Sequence, residues 1–292
     1  MSEHKNTTFG SAWMHRQLVK SLRVIDVRLL YAFVALFVIP VCLLLNTNHS
    51  RTFSYRYFRN RIGRGRLRAA WSTYVNHCMF GQVVVDRFAM FAGKRFKVDV
   101  VGYDNYLRLA AKPEGFVQLS SHIGCYEMAG YTLAVKNKRF NALVFGGEKA
   151  SVMEWRKEKL ECNDVHMIPI LPDMSHLFFV NEALANNETV SMPADRMVGS
   201  SKFLTVRFLG AEAHFPMGPF SVATMRGLDA IAVNVMKTSS LKYTAYVATL
   251  TYDKQAPRKV QMQQLAESYA AELERRVKQY PEQWYNFYEF WS

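Results

Sequence analysis

Residues 116–130 read FVQLSSHIGCYEMAG: a short apolar run, a histidine where it stops, a glycine, and then a helical pattern. Phe116 to Ser120 has the length and composition of a buried strand. Gly124 permits a tight turn, and Cys125 to Val135 has helical spacing. A strand that turns directly into a helix is a building unit of α/β domains, whose sites gather at the carboxyl ends of strands. His122 falls at that exit. Glu127 falls in the first helical turn, near the positive end of the helix dipole. On one continuous helix two residues five apart would face different ways. A strand-to-helix turn instead lets the glutamate fold back towards the imidazole, fix its tautomer and stabilise imidazolium.

Spacing alone is weak support for that pair. With eight histidines and 24 acidic residues in 292, a His followed five later by Asp or Glu arises by chance about 0.7 times. The surroundings carry more weight. Further apolar runs suited to buried strands occur at 142–145, 167–171, 189–192, 230–235 and 243–249. Helical patterns lie between several of them, at 152–161, 175–185 and 220–226, and a last helix covers about Val260 to Gln279, before Pro281. Strands that are nearly continuously apolar and joined by helices predict an α/β domain with a parallel or mixed sheet. Asp195 and Arg196 follow a strand and precede Gly199, so they belong at the same edge as His122. They read equally as a structural ion pair shaping the loop and as substrate-binding groups. The FPMGPF turn (215–220) places Gly218 where backbone N–H groups at a helix start could hold a phosphate, although a plain turn reads as well.

The N-terminal third has a different character. Residues 29–45 read LLYAFVALFVIPVCLLL, without a charge. As a helix this run reaches roughly 26 Å, the short limit for a bilayer span. Pro40 interrupts it, and a buried core helix is the competing reading. Residues 51–68, RTFSYRYFRNRIGRGRLR, mix arginines with aromatic rings and contain no acid. That composition suits a headgroup layer, where rings lie at the interface and guanidinium groups meet lipid phosphates. It also suits nucleic-acid phosphates, a reading weakened by the adjacent apolar run. Arg16, Lys20, Arg23 and Arg28 make the other flank basic too, so spanning and one-leaflet attachment both stay open. From Trp71 to Phe91 the spacing is that of an amphipathic helix, with His77 and Cys78 as packing residues. The expected division is residues 1–92 for membrane attachment and 93–292 for the α/β domain.

The formal net charge of +13 and a hydrophobic content of 50% fit a large core with an anionic partner: nucleic acid, a membrane surface or an acidic carrier protein. The four cysteines show no CxxC spacing, which argues against a zinc site or disulfide framework. The histidines lack HExxH spacing, so neither a metal nor another cofactor is expected. No GxSxG elbow points to a hydrolase. Cys125, beside His122 and at a helix start, raises an acyl-cysteine route as a minor alternative.

Taken together, His122-Ile-Gly-Cys-Tyr-Glu127 with Ser120, Ser121 and Gly124 around it resembles the His-x4-Asp/Glu motif of the lysophospholipid acyltransferase family, in its lipid A biosynthesis branch. The block at 192–223 is similar to a second stretch of that branch through Asp195, Arg196, Phe208, Gly210, Ala213, Pro216, Gly218 and Pro219, with Leu209 inserted into the usual Phe-Gly pair. Pro281, Glu282, Gln283 and Trp284 resemble its Pro-Glu-Gln-aromatic ending. Cys125 and Tyr126 depart from the usual Asn-Trp, and Arg156 is the candidate for an arginine that the branch often supplies. The resemblance implies a glycerolipid-acyltransferase-like mixed sheet flanked by helices, behind an N-terminal membrane-associating segment. It implies transfer from an acyl thioester, carried by acyl-carrier protein or coenzyme A, to a lipid hydroxyl or amine. His122 and Glu127 would be the catalytic pair, with Arg156, Asp195, Arg196 and Gly218 at the substrate. It further implies the cytoplasmic face of a bacterial inner membrane, an anionic membrane surface as partner and no nucleic acid. The rival class is a non-catalytic lipid-binding protein on the same fold. The acceptor stays open among lipid A precursors, amino-acid-containing lipids and aryl-polyene-type pigments.

Overall fold

The structure is a computed structural model that describes residues 12–133, 138–146, 153–154, 157, 165–171, 173–197 and 201–291. Among these residues the chain forms a seven-stranded mixed sheet and a separate two-stranded hairpin. The sheet strands are β1 (Lys97–Val101), β2 (Phe116–Ser120), β3 (Phe140–Phe145), β4 (Val165–Ile170), β5 (Thr189–Pro193), β8 (Asp229–Ser239) and β9 (Lys242–Leu250), in the order β1-β9-β8-β2-β5-β3-β4. All six expected runs are strands. β2 lies between β5 and β8, parallel to both, and β8–β9 is the antiparallel pair. The central strand is buried at every residue, including the polar Gln118, whose amide donates to the Ser191 hydroxyl at 3.1 Å.

β6 (Phe203–Phe208) and β7 (Ala211–Pro216) pair as a hairpin. Its tip is Leu209–Gly210, both with positive φ, at 49° and 81°. That is the backbone a two-residue hairpin turn demands, and it explains the leucine between Phe208 and Gly210. A carboxylate oxygen of Glu274 accepts from the Leu209 N–H at 2.6 Å, holding a residue type that rarely adopts this region.

Helices cover the sheet: α6 (Tyr103–Ala110), α7 (Glu127–Thr132), α8 (His176–Ala185), α9 (Met217–Met225) and α10 (Arg258–Gln279). α10 buries Leu265, Ala266, Tyr269, Ala270, Leu273 and Val277, the i, i+1, i+4, i+5 pattern of one inward stripe. The chain then closes on Trp284. Its buried ring meets Tyr57, Phe208, Phe290 and Trp291. The Gln283 side chain accepts from the Lys237 N–H at 2.8 Å and donates to the Lys237 carbonyl at 2.7 Å, extending the end of β8.

The N-terminal helices are α1 (Ala12–Leu22), α2 (Val27–Phe33), α3 (Ile39–Leu45), α4 (Ser50–Asn60) and α5 (Arg66–Phe91). A π-helical turn at Val34–Val38 joins α2 to α3, so residues 27–45 are helical throughout. Pro40 has no N–H to give and crowds the carbonyl one turn earlier; widening the preceding turn relieves both. This 19-residue segment has a mean hydropathy of 2.5 and is mostly exposed, a candidate membrane segment by length and composition. Leu29, Phe33, Leu36, Phe37, Val41 and Leu44 all face outward. The core-helix alternative does not fit that exposure. His77 and Cys78 are buried in α5, as expected of packing residues.

Candidate active site

Two loops from neighbouring parallel strands meet at the carboxyl edge of the sheet. β2 and β5 run in register, with Ser120 opposite Pro193, so the residues that follow each strand emerge side by side. The Ala194 N–H donates to the Ser120 carbonyl at 3.0 Å, carrying the pairing one residue past β5. Asp195 thereby comes to lie beside His122. One carboxylate oxygen is 2.7 Å from His122 Nδ1, and the other accepts from the His122 backbone N–H at 2.8 Å. Asp195 is 2% exposed, whereas the His122 side chain is 24% exposed. The carboxylate is sealed and the imidazole reaches the surface. With Nδ1 donating to Asp195, the ring's lone pair is on Nε2.

Burial pushes the Asp195 carboxyl up. The charge and hydrogen bond of His122, with Arg196 and the backbone N–H, more than offset this and hold it below the usual carboxylate range. An ionised, buried carboxylate against the inner ring nitrogen is the arrangement that general-base catalysis uses.

Gly124 builds the turn. Its φ is +59°, and a Cβ there would meet the Val235 carbonyl oxygen at 2.0 Å. The Gly124 N–H donates to the Gln283 carbonyl at 2.8 Å, and the Cys125 N–H to the Val235 carbonyl at 2.7 Å. These two donors are committed to the fold, so they are not available to an oxyanion. The Tyr285 N–H reaches the His122 carbonyl at 3.2 Å, and the Tyr269 hydroxyl donates to the Ser120 carbonyl at 2.8 Å. The histidine's backbone is thus held by β5, β8, α10 and the C-terminal tail.

Glu127 does not take the place expected of it. It opens α7 and pairs with Arg87 of α5 at 3.2 Å, both side chains largely buried, while Asp195 takes His122 Nδ1. The physical reason is the parallel register of β2 and β5, which delivers a carboxylate to the imidazole directly from the next strand. Arg87 is the residue that sequence reasoning passed over. Its signal was an adjacent Asp86–Arg87 inside the otherwise apolar stretch GQVVVDRFAMF, since charges in such a stretch imply buried partners.

Arg196 donates to the Tyr285 carbonyl at 2.6 Å and lies over the Tyr288 ring; it fastens the tail next to the site. Gly218 lies in the first turn of α9, where a Cβ would meet nothing within 4 Å. Its geometry therefore does not require glycine. Arg156 lies outside the described residues. Cys125 is buried, and burial pushes its thiol up to about 12. A thiol so rarely ionised is a poor nucleophile, which disfavours the acyl-cysteine route. No group of three or more potential metal ligands occurs among the described residues.

Comparison with known proteins adds the identity of the chemistry. The family model described as "Bacterial lipid A biosynthesis acyltransferase" matches residues 84–292, more than two thirds of the chain. A search of curated proteins finds no match. Among solved structures, the 1-acyl-sn-glycerophosphate (LPA) acyltransferase PlsC from Thermotoga maritima is similar with a TM-score of 0.40 and 14% identity, over 91% of this chain and 98% of that one. So distant a likeness adds nothing to the family match, which stands without it. The chain belongs to the bacterial lipid A biosynthesis acyltransferase family, and is accordingly an enzyme that transfers an acyl group to a lipid acceptor.

Proposed function

We propose that this acyltransferase takes its acyl group from a thioester on acyl-carrier protein and that His122 is the general base. Nε2 removes the proton from the acceptor's hydroxyl or amine as its oxygen or nitrogen attacks the thioester carbonyl. The tetrahedral intermediate collapses, the thiolate leaves, and the proton held by His122 passes to it. Asp195 keeps Nδ1 protonated and offsets the positive charge of the imidazolium. In this reading Asp195 serves the imidazole rather than the substrate. Glu127 acts with Arg87 to brace the turn that presents His122. Arg196 and Arg156 are the cationic candidates for the developing oxyanion. The net charge of +13 suits an acidic carrier, steering it by long-range attraction.

The 27–45 segment and the arginine-rich stretch after it suit attachment to an anionic bilayer, with residues 1–92 as the membrane foot and 93–292 as the catalytic unit. The dense basic flank favours the cytoplasmic face of a bacterial inner membrane. The observation that carries the proposal is the His122–Asp195 contact, a solvent-reaching imidazole on a sealed, ionised carboxylate. The test is transfer of labelled acyl chains from acyl-carrier protein into total lipid extract. Wild type should label one lipid, and His122→Ala should lose about 10²–10⁴ in rate. Near-normal turnover by His122→Ala rejects the assignment. Transfer from acyl-coenzyme A alone rejects the carrier-protein donor.

A further inference from the structure

A cleft of about 250 Å³ opens between α4 and the C-terminal tail. Arg56, Asn60 and Arg61 line one side; Asn286, Glu289 and Trp291 line the other. The Arg61 guanidinium lies 4.6 Å above the Trp291 ring. Arg56 meets Glu289 at 3.4 Å, with side chains 60% and 45% exposed. An ion pair that exposed contributes little, so a stronger anion can displace the carboxylate. α4 itself carries no acidic residue and starts five residues after the apolar helix ends at Leu45. The cleft thus directly follows the candidate membrane segment along the chain. Its far wall also touches the active site: Tyr288 lines the cleft, and its hydroxyl donates to the Asp195 carbonyl at 3.4 Å.

We infer that this cleft binds the phosphate of an anionic membrane lipid, with Arg56 and Arg61 as its charged donors and Glu289 displaced. Guanidinium groups match phosphate oxygens bidentately. Phe53 supplies aromatic surface for the glycerol and upper acyl segments. The inference deepens the proposed membrane attachment and is independent of the chemistry assigned to His122.

The experiment is co-sedimentation of the full chain with phosphatidylcholine vesicles, with and without phosphatidylglycerol. Wild type should prefer the anionic vesicles, and His122→Ala should share that preference, which separates this result from any failure of the catalytic assignment. Arg56→Gln with Arg61→Gln should weaken the preference by about tenfold or more, the scale of losing a charged hydrogen bond. Arg207→Gln with Lys259→Gln removes the same charge at exposed positions outside both the cleft and the 51–68 stretch and should leave the preference. Glu289→Gln should strengthen binding, a direction that a folding defect does not produce. Equal losses in the two double variants would assign the preference to diffuse basic charge and overturn the site. Binding of inorganic phosphate to wild type with no vesicle preference would assign the cleft to free phosphate and overturn the lipid.

Discussion

Two charged pairs stand at the carboxyl edge of adjacent strands, and they are built to opposite ends. Between β2 and β5, Asp195 is sealed and His122 is partly open. At the end of β8, next to β2, Lys237 and Asp86 are both sealed, with side chains 2% and 0% exposed. Asp86 also accepts from the Tyr31 and Tyr243 hydroxyls. The Lys237 ammonium is further held by the Tyr31 hydroxyl at 3.1 Å, the Ser240 carbonyl at 3.2 Å and the Tyr243 hydroxyl at 3.4 Å. Tyr31 belongs to α2, Asp86 to α5, and Lys237 to β8, so this knot ties the apolar N-terminal helix to the sheet edge that carries His122. Exposure separates the roles. A proton can be exchanged with a substrate only where the ring reaches the outside, and a fully enclosed pair can only hold elements together.

The sealed pair should show the largest stability effect when broken from one side. Burial pushes the Asp86 carboxyl up and the Lys237 ammonium down, so either charge alone in that space is costly. Lys237→Ala or Asp86→Ala should lower unfolding free energy by about 3–5 kcal/mol, while the apolar double variant Lys237→Met with Asp86→Leu should recover most of it. Denaturant melts of the three proteins measure this; a single variant as stable as wild type would make the knot irrelevant to the fold.

Next in size is the turn below His122. Gly124→Ala should cost at least about 2 kcal/mol, from the left-handed backbone and the clash with the Val235 carbonyl. An unchanged melting midpoint would contradict the turn as described. The Arg87–Glu127 pair gives a smaller effect, best read as coupling. In a double-mutant cycle of Arg87→Gln and Glu127→Gln, the two should be non-additive in acyl-transfer rate by on the order of 1 kcal/mol. Additive losses would mean that Glu127 serves the imidazole independently of Arg87.

The smallest effect concerns pH. Asp195 titrates below its ordinary value when folded, so its contribution to stability is present above about pH 4, the unfolded carboxylate value. It is lost as pH falls through the folded value. Wild type should therefore lose more stability than Asp195→Asn between pH 5 and 3. Parallel stability curves for the two proteins would count against an ionised, His-bonded Asp195.

The strands were legible because a buried parallel strand is mostly apolar, as 230–235 is with Asn234 its one polar residue, and as 116–120 is around Phe116, Val117 and Leu119. The β6–β7 hairpin was not. Its faces alternate between buried Val206 or Phe208 and exposed neighbours, and its turn is marked by Leu-Gly rather than the more telling Asn-Gly. His122 could be placed from its strand exit alone. Its carboxylate partner could not, because chain proximity favours Glu127 while the choice is made by strand order, which puts β5 beside β2. The order of strands is a property of the whole sheet, and no local spacing near residue 122 carries it. The same holds for Lys237, Asp86 and Tyr31, brought together from positions more than fifty residues apart.

The most direct test of the account is the acyl-transfer rate of Asp195→Asn, with folding verified by its melting midpoint at neutral pH. The open pair predicts a fall of about 10²–10⁴ in kcat, the range for a general base, with the protein still folded. Turnover close to wild type would contradict it, and would return the partnership with His122 to Glu127.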